Sequence, residues 1–528
     1  MFAEAGTRAI RHGSKTAVSV SVCRLSMALR ARAAGTLHRA FNSPWEELSD
    51  RGRGGGASST GKKVPQEFLA GIPWAGRSTL AGLMQRVATD GPHDPVVWRK
   101  LVARADVIAH SLTAKQASLI LAALAKARHR DESFLRRFSV RFVPSLVPTA
   151  ELIDLCGMLS GLSQLGAYTE ETFVLFAKRA AEAAPRMDAR QLSLVANAFV
   201  RVGHTDLDLF ERLLAQVPRR LKQFDARDIA VLLNALAQLH AAPEGAAEEH
   251  GGQASGTSKA HLEAIALRLP HVLPEADLHS LTLILNAFAQ LQFAPKDATD
   301  LIVDEFLSSP KRLSHMTARQ LAMVLNASAK LHLFDPKLLE ALAARVRGTA
   351  RHLDAQALCL VANASARLRL GLDTFAALYA QVPRRLPNLT GRQLAMIAHA
   401  WAKGHVHNDD LFALIALPLA QKANSLGAHE IALVVYAYAH FRKRPETLLS
   451  ALLVRFSALL DEGGVGDGDL LMLGNGLGRI GVHDAAVGAA LVQYARHEPA
   501  LVNVSAAARA TFPELNECTE GDVRDARI

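Results

Sequence analysis

The stretch Asp188–Leu221 reads DARQLSLVANAFVRVGHTDLDLFERLLAQVPRRL, and altered copies of its first half recur along the chain. The copies read DARDIAVLLNALAQLH from Asp225, TARQLAMVLNASAKLH from Thr317, DAQALCLVANASARLR from Asp354 and TGRQLAMIAHAWAKGH from Thr390. Self-similarity at a fixed period is the sequence signature of a repeat architecture, because each copy encodes one supersecondary unit. The repeat therefore decides the fold.

Ten copies can be aligned, and positions are counted below from the first residue of each copy, taken as zero. The first residues are Thr113, Glu151, Asp188, Asp225, Asp277, Thr317, Asp354, Thr390, Gly427 and Gly466. Successive copies begin 36 to 40 residues apart, except for one interval of 52 residues. That interval contains the low-complexity run 241–259, which predicts a loop inserted between the two helices of one repeat.

Each repeat is predicted to be a pair of helices. The first residue is Asp or Thr in seven copies, and such a side chain caps a helix by accepting a hydrogen bond from a free backbone amide. Apolar residues follow at +4, +7, +8 and +11, the spacing of one helical face. In the copy from Asp188 these residues are Leu192, Val195, Ala196 and Phe199. A break at Gly203 precedes a second apolar helix, 207–217, which ends near Pro218.

These pairs predict an all-α fold, an α-solenoid of about ten helical hairpins of roughly 37 residues. One hairpin cannot bury its apolar faces alone, whereas stacked neighbours share a continuous core. The array is expected to span 113–504. Residues 64–112 are interpreted as capping helices out of register with the repeats, and residues 505–528 as a frayed tail.

The N-terminal residues have a different composition. Between Met1 and Pro44 there are seven Arg or Lys and one acid, Glu4. An Arg-rich, acid-poor segment is typical of an organellar transit peptide, so residues 1–45 are predicted to be one, mitochondrial in preference to plastid. The alternative is a basic tail without a targeting role. Residues 46–63 are predicted to be a flexible linker.

Charge alone does not identify a partner. The formal net charge is +10, but residues 1–63 carry eleven basic and four acidic side chains, so the remaining 465 residues hold only +3. A case for nucleic-acid binding therefore depends on where the charges lie. The chain contains no run of 18 uncharged apolar residues, and no membrane span is expected.

Motifs that carry chemistry are not found. The four cysteines are far apart with no CxxC pair, which argues against a cysteine zinc site. The run from Gly56 to Lys62 is spaced like a phosphate-binding loop, but Lys63 stands where that loop needs Ser or Thr. We therefore expect a protein that is not an enzyme and that uses no cofactor and no metal.

Three positions of the first helix carry polar side chains in nearly every repeat. At about 100° per residue, positions +2, +9 and +13 point to about 200°, 180° and 220°, opposite the core face. We call these three rows the polar band. The candidate RNA-binding residues in it are, at +2, Lys115, Arg190, Arg227, Arg319 and Arg392; at +9, Asn197, Asn234, Asn286, Asn326 and Asn363; and at +13, Lys126, Arg201, Lys330, Arg367, Lys403 and Arg479.

Each row also has a simpler interpretation. Exposed Lys and Arg on a helix are often only a solvated face. Asparagine is a poor helix former, and apolar residues flank it at +9, so it needs a reason. It could bond between adjacent helices as a structural amide, or it could bind a ligand, and the sequence leaves both possibilities open.

The pattern L-x-x-V/L-x-N-A-x-A-K/R-L in a capped hairpin, behind a basic presequence, resembles the heptatricopeptide-type repeats of organellar RNA-binding proteins. These are related in design to the pentatricopeptide and octotricopeptide arrays, and many carry a RAP domain. The resemblance covers about 113–504 and implies a mitochondrial protein that acts in RNA processing, stability, translation or mitoribosome assembly. The resemblance does not extend to a RAP domain, which is not expected within the 24 residues after Val504.

Two kinds of function follow from these patterns. The first is a non-catalytic mitochondrial matrix protein that binds organellar RNA, rRNA or mRNA, through the polar band, since helical repeats read single strands with a few side chains per unit. The alternative is a protein–protein scaffold of the armadillo/HEAT kind, or a structural mitoribosomal subunit that contacts ribosomal proteins.

Overall fold

The computed structural model describes residues 66–90, 94–204, 206–240, 259–308, 310–497, 504–513 and 515, and every regular element among them is a helix. The transit peptide, the linker and all but the last residue of the inserted loop, as expected from the sequence, lie outside these residues. The described residues form two compact units, and the division between them falls between Ile265 and Ala266.

The helices of the first unit are α1 (Gln66–Gly71), α2 (Arg77–Asp90), α3 (Pro95–Ile108), α4 (Ala114–Lys126), α5 (Glu132–Arg141), α6 (Val143–Leu146), α7 (Leu152–Leu165), α8 (Glu170–Ala183), α9 (Ala189–Arg201), α10 (Leu207–Leu214), α11 (Val217–Arg220) and α12 (Ala226–His240). The division between the units falls within α13 (Lys259–Val272).

The helices of the second unit are α14 (Leu278–Gln290), α15 (Lys296–Leu307), α16 (Pro310–Ser314), α17 (Ala318–Lys330), α18 (Pro336–Thr349), α19 (Ala355–Arg367), α20 (Leu372–Tyr379), α21 (Val382–Arg385), α22 (Gly391–Lys403), α23 (Asp409–Gln421), α24 (Ala428–His440), α25 (Glu446–Asp461), α26 (Asp467–Ile480), α27 (Ala485–His497) and α28 (Ala506–Thr511).

Within each unit the helices form a stack of hairpins, which confirms the predicted helical solenoid. The first helices pack side by side in chain order, α2, α4, α7, α9 and α12 in the first unit and α14, α17, α19, α22, α24, α26 and α28 in the second. The second helices lie in a parallel layer, where α8 packs on α10 and α18 on α20. The core lies between the two layers; in α9 the predicted residues Leu192, Val195, Ala196 and Phe199 are at most 1% exposed.

The first helices begin at the residues that the repeat predicts. Asp188 and Thr317 each accept a hydrogen bond from the backbone N–H three residues later, while Gln191 and Gln320 each accept one through Oε1 from the backbone N–H of the cap residue. This reciprocal capping box satisfies two amides that have no partner inside the helix. Gly427 has no side chain to cap with, and Glu430 accepts from its backbone N–H instead.

Small residues allow the first helices to lie close together. Position +10 is Ala or Gly in all ten repeats and is buried in each of them. At Gly161 of α7 an added Cβ would lie 2.7 Å from the Leu121 Cβ of α4, and at Gly478 of α26 it would lie 2.5 Å from the Ala508 backbone of α28. The N-A-x-A string of the motif therefore encodes helix-to-helix approach within the first layer.

Residues 76–112 and 505–512 differ from what the sequence led us to expect. Helix α2 follows Gly76, which lies 37 residues before Thr113, and it packs on α4 as a further first helix in register with the repeats. Helix α28 follows Ser505, packs on α26 and buries Phe512, so this part of the chain is not a frayed tail.

Candidate nucleic-acid interface

The polar band lies on the face of the first helices that is turned away from the second layer. Its cations are exposed at every candidate position except Arg367, which is half-buried. Four of the candidate asparagines are half-buried, and the fifth, Asn286, is 8% exposed. Because first helices of one unit pack side by side, like positions of successive repeats become neighbours, and the three rows run along each stack separately.

The +2 row is largely engaged with the repeat that follows it. Arg392 forms an ion pair with Glu430 at 3.5 Å, and His429 Nδ1 lies 2.8 Å from Asp469 Oδ1. The acid stands at +3 of the next repeat in both cases. The same stagger occurs between neutral groups, since Gln393 Nε2 donates to Gln356 Oε1 at 3.2 Å. Much of this row therefore links one repeat to the next.

Two further +2 cations influence the acids of the following repeat. Burial and the nearby Asp225 carboxylate raise the pKa of Asp228 to about 6, and Arg190 opposes that rise. In the same way Lys115 opposes the raised pKa of Asp154. These cations favour the ionised form of carboxylates whose pKa is raised by burial.

Arg227 and Arg319 lack such a partner. Neither forms a hydrogen bond or an ion pair with another described residue, and the residue one repeat on that would face Arg319 is Ala357. The +2 row thus contains both engaged and unengaged cations.

The +13 row has no acidic partner. Within the part of the chain that the structure describes, none of its six candidate cations forms an ion pair with Asp or Glu. Lys126 donates to Thr89 Oγ1 at 2.9 Å, and Arg367 donates to the Ala329 carbonyl at 3.0 Å. Both acceptors are neutral, so the positive charge of this row is not cancelled.

Neighbouring cations of the +13 row also repel one another. Burial, and then Arg367 of the preceding repeat, lower the pKa of Lys403. The pKa of His440, at +13 of the next repeat, is lowered by burial, then by His405 and by Arg479. A row of like charges that already depresses its own pKa values gains most from an anion lying across it.

The asparagines at +9 are not structural amides in most repeats. The side chains of Asn197, Asn234, Asn286, Asn326 and Asn363 make no hydrogen bond to any other described residue, and none of them is a buried unsatisfied group. Asn475 is different, because its Oδ1 accepts from the Ser505 backbone N–H at 2.8 Å and so anchors α28. Five amides along the band are therefore open to a ligand, each with one acceptor and two donor hydrogens.

Two of the ten repeats place a ring at +9. His399 and Tyr436 are half-buried neighbours with ring centroids 5.7 Å apart. Burial, with Lys403 and His429 nearby, lowers the pKa of His399 to about 4, so its imidazole is neutral at pH 7. The band thus changes along the second unit from amides to flat rings.

Sequence reasoning missed a fourth row on the same face. Position +6 points to about 240° on the helix and is Leu, Val or Met in nine of the ten repeats. Leu119 is 37% exposed, and Leu194, Leu283, Met323 and Met396 are half-buried. Counting only polar side chains hid this row, although its angle on the helix could have revealed it.

The turn after each first helix adds further cations. Position +15 is left-handed in nine repeats, with Arg128 at φ 53°, Arg369 at φ 56° and Arg442 at φ 53° in three of them. Glycine adopts this conformation at lower cost and stands there in three other repeats, including Gly203 and Gly481. These arginines are exposed and lie two residues beyond the +13 row.

Neither a metal site nor a membrane-spanning helix is found in the described residues. Among them no group of three His, Cys, Asp or Glu side chains is placed to hold a metal ion. No helix in the same ranges is long and apolar enough to span a membrane.

The fold and the band together define a class: a repeat protein of stacked helical hairpins with an uncancelled row of positive charge beside open amides. The model of one protein family matches residues 77–255 and 271–462, more than half of the chain. The chain belongs to this family, the RNA-editing substrate-binding complex 6 protein (RESC6). The first match begins at the first residue of α2, which agrees with α2 being part of the repeat array.

The other comparisons add little. No curated protein matches this chain. A structure described as a homology model of the full-length AP-3 complex in an intermediate open conformation is 12% identical, with a TM-score of 0.29, and the alignment covers 96% of this chain and 98% of that chain. A similarity at that level carries no argument about function.

Proposed function

We propose that this protein binds single-stranded RNA along the polar band, without catalysis, as a component of an RNA-editing or other RNA-processing complex. The observation that carries the proposal is the +13 row of unpaired cations beside the five unengaged asparagines at +9. Phosphates bind cations whose charge is not already cancelled, and amides can pair with base edges. The family description, which names an RNA-editing substrate-binding complex, supports the same class of ligand.

The test compares two charge reversals of equal size in the full-length protein. Lys330→Glu with Lys403→Glu reverses two cations of the +13 row, whereas Lys337→Glu with Arg347→Glu reverses two exposed cations of α18 in the second layer. Fluorescence anisotropy with a labelled single-stranded RNA measures the affinity. We expect at least about a tenfold loss for the first variant and less than about threefold for the second, because only the first removes direct phosphate contacts.

Two results would count against the proposal. Equal affinities of the two variants would show that any RNA contact lies outside the +13 row. If the unaltered protein failed to bind RNA at low salt, RNA would not be its ligand. Circular dichroism of both variants establishes that each is still folded.

Mitochondrial location is a further part of the proposal. It depends on the basic composition of residues 1–45 and on the resemblance to heptatricopeptide-type repeats, with roles in transcript stability, translation or mitoribosome assembly as the finer possibilities. A fusion of residues 1–63 to a fluorescent protein tests it. Import into mitochondria is expected, and a fusion in which the seven basic residues of the first 44 are replaced by Gln should stay outside.

A protein partner is the second candidate, and the +6 row of half-exposed Leu, Val and Met favours it. An apolar row on a binding face suits peptide side chains as well as bases. If Met323→Ser with Met396→Ser abolished the capture of a partner protein but left RNA affinity unchanged, the band would be a protein-binding surface.

A further inference from the structure

The +9 row changes character in the repeats that begin at Thr390 and Gly427. Where six other repeats have asparagine, these two have His399 and Tyr436, on the adjacent helices α22 and α24. Asparagine and these rings all point to the same side of their helices. The change therefore replaces hydrogen-bonding groups by flat surfaces at one place along the band.

The rings form a connected group. The His399 and Tyr436 centroids lie 5.7 Å apart with planes at 51°, and Tyr436 lies 6.1 Å from His440 with planes at 35°. His405 Nδ1 lies 3.0 Å from His440 Nε2, a hydrogen bond that holds the His440 ring in place. Contacts on both sides of Tyr436 limit its rotation, so the ring is positioned before any ligand arrives.

Packing alone does not account for Tyr436. A nearby tyrosine of the same helix, Tyr438, is 2% exposed and donates its hydroxyl hydrogen to the Phe412 carbonyl at 2.8 Å. Tyr436 is half-buried, and its hydroxyl makes no hydrogen bond to another described residue. The first is a core residue with its polar group satisfied, whereas the second is partly exposed and its hydroxyl is not engaged by any described residue.

The surroundings suit a nucleotide. Lys403, one turn after His399, carries uncancelled charge beside Arg367, and Arg479 lies on α26, the first helix that follows the one with Tyr436. Half-buried Met396 lies on the same edge of α22. Cations for the phosphate and flat or apolar groups for the base therefore lie together, which is how sequence-tolerant binding of single strands is achieved.

We propose that the rings of His399 and Tyr436 form a stacking platform for nucleobases of a single-stranded RNA bound along the polar band; the inference rests on the proposed function. His440 and His405 are positioning residues that hold the Tyr436 side of the platform. Repeats with asparagine contact base edges, whereas these two repeats contact base faces and so tolerate any base.

The experiment distinguishes protein contacts to the bases from protein contacts to the phosphates. Two probes of equal length are used, an oligouridylate and an oligomer with abasic ribose in place of each uridine, and both are titrated against the full-length protein. The variant His399→Asn with Tyr436→Asn gives both repeats the asparagine that their neighbours carry, and Tyr436→Phe keeps the ring without its hydroxyl. Thermal unfolding by circular dichroism verifies that each variant is folded.

The unaltered protein is expected to bind the oligouridylate about tenfold or more tightly than the abasic probe, since stacking of one base on an aromatic ring is worth that much. The double asparagine variant should lose about tenfold on the oligouridylate and nothing on the abasic probe, with the same dependence on salt. Tyr436→Phe should bind as the unaltered protein does, because the ring face is retained.

The outcomes distinguish the platform from RNA binding itself. If the unaltered protein binds both probes and the double asparagine variant matches it on each, the platform is overturned and RNA binding stands. If the unaltered protein binds neither probe, the proposed function fails and the platform with it. A variant that weakens equally on both probes shows a phosphate effect, which also overturns stacking.

Discussion

The +2 and +13 rows occupy opposite ends of the same helices, and both are rich in Lys and Arg, yet they differ in what lies opposite them. At +2, Arg392 faces Glu430 and Arg190 lies near Asp228, so positive charge meets a carboxylate of the next repeat. At +13, Lys403 meets only another cation, Arg367. A basic row is thus not evidence of a binding surface until its neighbours are known.

The difference follows from the stagger of the repeats. The acid that serves a +2 cation stands at +3 of the following repeat, 38 to 40 residues further along the chain. Position +13 has no corresponding acid at its end of the helix. We infer that the +2 row chiefly fixes the packing of one repeat on the next and that the +13 row faces the RNA.

The largest expected effect on RNA affinity comes from removing cations of the +13 row, and the matched control removes cations of the +2 row. Lys330→Ala, Lys403→Ala and Arg479→Ala together should weaken binding of single-stranded RNA at least about tenfold and lower the slope of log affinity against log salt by about 2, because each lost phosphate contact contributes about 0.7. Lys115→Ala, Arg190→Ala and Arg392→Ala together should change affinity less than about threefold. Anisotropy titrations at several salt concentrations measure both quantities.

The second triple variant should instead show a small loss of stability, since an exposed ion pair contributes about 0–1 kcal/mol to the free energy of unfolding. If it lowered RNA affinity and the salt slope as much as the first, the distinction between the rows would be wrong. Urea denaturation followed by circular dichroism supplies the stability.

A smaller effect is expected at the asparagines. Asn326→Ala with Asn363→Ala should lower RNA affinity several-fold while leaving stability unchanged or raised, because these amides have no partner in the protein and alanine is the better helix former by up to about 0.7 kcal/mol. Asn475→Ala is the matched control. It should lower the free energy of unfolding by about 1 kcal/mol, since it removes the hydrogen bond to Ser505 that anchors α28.

If the first asparagine variant lost stability and kept its RNA affinity, the +9 asparagines would be structural residues and not RNA contacts. The two variants are compared by anisotropy and by urea denaturation under identical conditions. Only the first should lower RNA affinity, and only the second should lower the free energy of unfolding.

Sequence alone predicted the caps, the core face and the direction of the polar band, which depend on helical periodicity within one repeat. The caps such as Asp188, the core face from Leu192 to Phe199 and the outward direction of the polar band all follow from helical periodicity, and the structure agrees. What depends on contacts between repeats was not predictable in the same way. The pairing of Arg392 with Glu430 and the freedom of Lys403 require knowledge of how neighbouring helices are staggered.

Sequence reasoning also missed the repeat that contains α2, because its residues at the motif positions differ from those of the other repeats. Helix α2 begins after Gly76, has Gln85 at +9 and Thr89 at +13, and lacks the N-A-x-A string, although its spacing of 37 residues to Thr113 was visible. Its contacts reveal it, because Gln116 Nε2 donates to Ser78 Oγ at 3.0 Å in the same +3 to +2 stagger as the other repeats.

The pH dependence of stability tests the +2 row through its acid. The pKa of Asp228 is raised to about 6 from its ordinary value of 3.8, so the folded state holds the proton more tightly than the unfolded state. Stability from this group is therefore present below about pH 4 and is lost as pH rises to about 6. Asp228→Asn has no proton to lose and should not show that loss, so from pH 4.5 to 7.5 it should gain about 1–2 kcal/mol over the unaltered protein, after allowance for partial solvent exposure.

An Arg190 variant tests whether the +2 cation contributes to the pH dependence attributed to Asp228. Since Arg190 favours the ionised Asp228, Arg190→Ala should raise the pKa of the carboxyl further and move the pH dependence of the unfolding free energy to higher pH. Urea denaturation of the unaltered protein, Arg190→Ala and Asp228→Asn across this pH range gives the three curves. A curve for Arg190→Ala that coincides with that of the unaltered protein would mean that this +2 cation does not stabilise the neighbouring repeat, and it would then be as available to phosphate as Lys403.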